Sequence, residues 1–138
     1  MPYGNTQAQP EERFQFFGSL PFIGFHFAAL AAAILVPPSA ADIALCVGMY
    51  YLRMFGIGAG FHRYFAHRTY STSRAFQFFM AFLGGTAMQK GGLWWAANHR
   101  HHHRFSDQPE DVHSPVQGGF WWSHVGWILA GKWETTDY

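Results

Sequence analysis

Six of the nine histidines in this 138-residue chain fall in two short stretches, HRYFAHRTY at 62 to 70 and NHRHHHRFSD at 98 to 107. Imidazole is the commonest metal-ligating side chain and suits iron, zinc, copper and nickel, so the clustering points first to metal chemistry without naming the metal. His99, His102 and His103 stand at i, i+3 and i+4. On a helix advancing about 100° per residue they share one face within a single turn. His101 lies about 200° from His99 and points away from that face. His62 and His67 differ in kind, because five positions put them about 140° apart on a regular helix, too far round to meet as neighbours. Either the helix ends between them, or each addresses a different metal in a shared site.

The elements that must carry these rings are strongly apolar. Aromatic residues make up 20% of the chain and charged residues only 12%, about half the usual share for a soluble domain. Phe14 to Val36 contains no charged residue and is about as long as a tilted helix needs to cross a bilayer; Pro37 and Pro38 then stop it. Residues 40 to 61 are apolar except for Asp42 and Arg53 and read as a second span, with Arg53 facing a bundle interior or reaching the interface. The loop between the spans lacks Lys and Arg, whereas Arg63, Arg68, Arg74, Arg100 and Arg104 all follow the second span. The positive-inside bias therefore places both chain ends and the histidines in the cytoplasm. The polar start MPYGNTQAQPEER does not resemble a cleavable signal peptide.

The fold expected is all-α: an integral, multi-pass membrane protein with a cytoplasmic His-rich helical cap over residues 62–138, the whole chain forming one domain. Ala75 to Met88 is too short for a full crossing and reads as an interfacial or re-entrant helix. Phe120 to Leu129, with its tryptophans, suits the headgroup region. Between them SDQPEDVHSPVQGG is a turn-rich loop whose acids Asp107, Glu110 and Asp111 read as a solvated surface. Gly56, Gly58 and Gly60 lack the third glycine of a dinucleotide fingerprint, since position 61 is Phe61; Gly56 and Gly60 read instead as a close helix-packing pair. Cys46 has no second cysteine to pair with and reads as a small buried hydrophobe. A net charge of +1 with no basic patch excludes a nucleic-acid partner.

Read together, HRYFAH as an HxxxxH box, HRHHH as an HxxHH box, RFSDQPEDVHSP and GGFWWSHVGWIL resemble the membrane fatty-acid desaturases, specifically the acyl-CoA Δ9 (stearoyl-CoA) type. The resemblance runs from about Gly58 to Leu129. It implies a non-haem di-iron enzyme on a helical membrane anchor, which uses O₂ and electrons from a small redox protein of the cytochrome b5, ferredoxin or rubredoxin type. The product would be a cis double bond in a long acyl chain carried as acyl-CoA or acyl lipid. By the resemblance the iron ligands are His62, His67, His99, His102 and His103, while Gln89 and Trp95 match positions lining the bend of the acyl tunnel. His113 and His124 are expected to support the site, and His26 lies too deep in the first span to join it.

The chain departs from the family in lacking the third His box that follows two further spans in family members. Five histidines do not fill the coordination of two irons, so the chain reads as the N-terminal portion of a partial desaturase fold, inactive alone. The basic residue that acyl-CoA members place two positions before the second box is Ala97 here, which leaves an acyl-lipid substrate open. The rival readings are a related di-iron hydroxylase or ketolase, which the GFWWSHVGW stretch disfavours, and a non-enzymatic membrane metal-binding protein, which the missing ligands favour. A zinc hydrolase is weaker, because there is no HExxH and no carboxylate within the helical histidine cluster.

Overall fold

A computed structural model describes residues 14–131; the polar start read at the sequence level lies outside them. The described residues are helical, in the order α1 (Phe16–Leu35), α2 (Ala40–Phe55), a π-helical segment (Gly56–Ala66), α3 (Arg74–Gly85), α4 (Gly92–Arg104), α5 (Pro115–Trp121), a short π turn (Trp122–Gly126) and α6 (Trp127–Leu129). A single isolated bridge, Phe14 to Ala130, and the Gln15 N–H donating to the Leu129 carbonyl at 2.9 Å tie the start of α1 to the end of α6.

Helix α1 and the continuous helix Ala40–Ala66 are each long and apolar enough to cross a membrane. Their large side chains point outward, Phe17 being 83% and Leu35 77% exposed. Such a surface suits lipid rather than water. A capping box starts α2: Asp42 N–H donates to the Ser39 hydroxyl at 3.2 Å, and the Asp42 carboxylate accepts from Ser39 N–H at 2.9 Å. The acid that interrupts the apolar run is therefore a helix start signal. Cys46 is exposed on α2. This corrects the expectation of a buried thiol, since an apolar run in a spanning helix turns most of its side chains outward. The second long helix runs on past Phe61 to Ala66, which brings His62 inside the helix.

The core lies at the end of the second span, where α3 and α4 pack on the π segment. Met80, Leu83 and Gly84 form the buried stripe of α3. It faces Gly56 and Gly60: a methyl on Gly56 would meet the Gly84 nitrogen at 2.8 Å, and one on Gly60 the Met80 carbonyl at 3.2 Å. The close-packing reading of this glycine pair is borne out. Gly58, between them, faces open space. Phe61, fully buried, fills the junction against Gly84 and Gly92. Gly91 and Ser73 cap α4 and α3, the Ser73 hydroxyl accepting from Phe76 N–H.

Candidate metal centre

The π segment decides how the first histidine pair meets. A π-helix bonds i to i+5, and the His67 N–H donates to the His62 carbonyl at 3.1 Å. Five positions thus become one turn, and the two rings stand 4.7 Å apart. The expectation that this spacing keeps them apart holds only for a regular α-helix and is corrected here. The helix also ends at this point: His67 is its last cap, Arg68 takes the left-handed conformation (φ 52°), and Tyr70 turns back to donate its hydroxyl to the Ala59 carbonyl at 2.7 Å.

Helix α4 brings His99 and His103 onto this pair. The Nε2 atom of His99 lies 3.1 Å from Nε2 of His67 and 3.0 Å from Nε2 of His103, and the His62 ring is 4.6 Å from the His99 ring. Four ring nitrogens, of His62, His67, His99 and His103, fall within 4.8 Å of one another. Nitrogens each about 2.1 Å from one ion and about 90° apart are separated by about 3.0 Å, as the His99 contacts are, so the group could hold a metal ion. Burial, and then the neighbouring histidines, pull the His99 ring down from its ordinary value to about 4. The ring is therefore neutral, with a lone pair to give, under ordinary conditions.

His102 separates from its neighbours on α4. Its ring is 6.4 Å from that of His99 and instead joins Asp111 and His113 in a second potential metal-ligating group. Its Nδ1 lies 2.8 Å from the Asp111 carboxylate, and its ring stacks on His113 at 4.4 Å. The single shared face expected for His99, His102 and His103 is thus divided between two groups. Burial, and then the neighbouring His102, lower the His113 ring from its ordinary value. His101 points away from both groups, toward the Glu110 carbonyl at 2.9 Å.

Sequence reasoning missed Asp111. Against the expectation of a solvated loop, Asp111 is only 6% exposed, with Val112 and Ser114 buried beside it. The Ser114 hydroxyl donates to the Asp107 carboxylate at 2.8 Å and caps α5 by accepting from the Val116 and Gln117 N–H groups. The signal available was the density of turn-forming residues, which folds the loop back over the end of α4.

Gln89 and Trp95 meet each other: the Trp95 indole N–H donates to Gln89 Oε1 at 3.1 Å. Trp95 also stacks on His99, with ring centres 4.7 Å apart. Both residues line a cavity of about 700 Å³, whose wall includes Phe22, Phe25, Trp127 and Ile128. His113 lines it too, so the cavity opens beside both histidine groups. His26 and His124 border it without joining either group, His26 bonding to the Phe22 carbonyl and His124 stacking on Phe120.

Several characterised proteins resemble the chain. It is 38% identical to a hex-5-enoyl-[acyl-carrier protein] acetylenase of Moorena producens, over 92% of this chain and 43% of the relative. It is 38% identical to an sn-1 stearoyl-lipid 9-desaturase of Anabaena variabilis, over 80% of this chain and 41% of the relative. It is 40% identical to a stearoyl-CoA desaturase of Mesocricetus auratus, over 78% of this chain and 30% of the relative. The chain spans less than half the length of these curated relatives. No family model matches, and neither does any solved structure.

Proposed function

The chain belongs to the fatty-acid desaturase family, matching the N-terminal part of its members, and on that premise we propose that it supplies the first part of the di-iron centre and acyl channel of a membrane acyl desaturase. The observation that carries the reading is the convergence of His62 and His67 from the π segment with His99 and His103 from α4. These four hold one iron, and His102 is the first ligand of the second. The chain contributes one partial domain, anchored by α1 and the helix Ala40–Ala66, with the histidines on the cytoplasmic side. Bound there, the iron pair supplies the O₂ activation that an unactivated methylene C–H bond requires.

The chain's own residues position the reactants. A neutral His99 offers its lone pair, while the stacked Trp95, held by Gln89, forms a wall between the first histidine group and the cavity. Phe22, Phe25 and Ile128 give that cavity an apolar lining suited to an acyl chain and poor for water. The substrate is an acyl chain on a CoA or lipid carrier. The first product to seek is a cis Δ9 monoene, and the electron donor is a small redox protein.

The test is elemental iron analysis of the detergent-purified, untagged chain beside a variant with His99, His102 and His103 all changed to Ala. The reading predicts one tightly bound iron per chain at the four-histidine group and a weaker one that depends on His102, both lost in the variant. Iron content equal in the two proteins overturns it.

A further inference from the structure

Asp111 is unused by the mechanism above, and its surroundings give it a role. Its side chain is fully covered. A buried carboxylate is costly unless its lone pairs are taken up. Oδ1 accepts from His102 Nδ1 at 2.8 Å and from the His113 N–H at 3.2 Å, while Oδ2 accepts from the Asp107 N–H at 2.9 Å. Burial pushes the carboxyl up, but these hydrogen bonds together hold it below the usual carboxylate range. Three of about four lone-pair sites are therefore filled by donors that the loop backbone and α4 fix in place, which leaves Asp111 poorly disposed to ligate a metal itself.

What the contact does instead follows from imidazole chemistry. A ring that donates from Nδ1 carries its proton there and bears its lone pair on Nε2. The same ring is stacked on His113, which is backed by Trp127 at 5.2 Å, so its rotation is restricted as well. We propose that Asp111 is a positioning residue that fixes His102 as the Nδ1–H tautomer and so reserves Nε2 for the second metal. The His102 and His103 rings are 5.7 Å apart, so His102 stands beside the four-histidine group. The assignment rests on the reading of His102 as a ligand. Carboxylates that hold metal-bound histidines in this way strengthen binding without touching the ion.

The test reads the tautomer directly. ¹⁵N NMR of histidine-labelled, metal-free protein in detergent at pH 8, with His102 assigned by comparison with His102→Ala, is expected to show the Nδ1–H tautomer. Asp111→Ala shifts it toward Nε2–H. Ser114→Ala loosens the same loop without removing the carboxylate and leaves the tautomer unchanged, an outcome that a merely structural role for Asp111 does not give. If Asp111→Ala fails to fold by circular dichroism, the near-isosteric Asp111→Leu, which has no acceptor, carries the comparison, and Asp111→Glu is expected to restore the tautomer. An Nε2–H ring in the wild type, or an Nδ1–H ring that survives loss of the carboxylate, overturns the proposal. Iron(II) titration gives a second readout: loss of Asp111 weakens the His102-dependent site about 10- to 100-fold and spares the His99-dependent one. Iron binding that ignores both His99 and His102 defeats the desaturase reading, while the tautomer still decides the role of Asp111.

Discussion

The two histidine groups stand side by side on α4 but are built on different principles. The first joins side chains from two helices, and its geometry is set by the packing of the π segment on α3 and α4 around Phe61. The second joins one helical ring to a loop, and its geometry is set by hydrogen bonds to a buried carboxylate. The first should therefore respond to changes in packing, and the second to loss of polar partners.

The largest effect expected is from ligand removal. His99→Ala abolishes iron binding at the first group and spares the His102-dependent site, and His102→Ala does the reverse; anaerobic iron(II) titration of both variants checks it. Next comes packing. The methyl of Gly56→Ala meets the backbone of Leu83 and Gly84, which cannot swing aside as a side chain can, so unfolding in denaturant should show a loss of about 1–3 kcal/mol. That change should weaken the first group and leave the second alone. Ser114→Ala removes the cap of α5 and the bond to Asp107, costing about 1 kcal/mol by the same assay and loosening the loop while His102 keeps its Asp111 partner and the first group is untouched. The smallest effect is at Gly58, where a methyl meets nothing: Gly58→Ala should stabilise the helix by about 0.5–1 kcal/mol.

Acid acts on both groups with the same sign. His99 has its folded pKa lowered to about 4, and that of His113 is also lowered. Between the ordinary histidine value and the folded one, the unfolded chain binds more protons, so stability rises with pH across that window. Thermal unfolding of the metal-free protein should show full stability above about pH 6.5 and a loss as pH falls toward 4. A melting temperature that rises on acidification contradicts these environments.

Much of this was legible in the chain. The uninterrupted run to Val36 and the following prolines mark α1, and Gly56 and Gly60 mark the close approach of α3. The His62–His67 pairing was not legible, because reading by 100° steps presumes i to i+4 bonding and nothing local announces i to i+5. The division of His102 from His99 and His103 was hidden for a different reason: one helix face is wide enough to address two neighbours, and which one each ring meets depends on a loop nine residues away. Asp111 looked solvated because burial of an acid depends on donors that sequence does not place in space.

His62, His67, His99 and His103 converge closely enough to hold one metal together. X-ray absorption at the iron edge, on protein loaded anaerobically with one equivalent of iron(II), tests it most directly. A shared site gives a first shell dominated by nitrogen, with the outer-shell scattering of several imidazole rings, that collapses in His99→Ala. An oxygen-dominated shell, or a spectrum unchanged by that substitution, contradicts it.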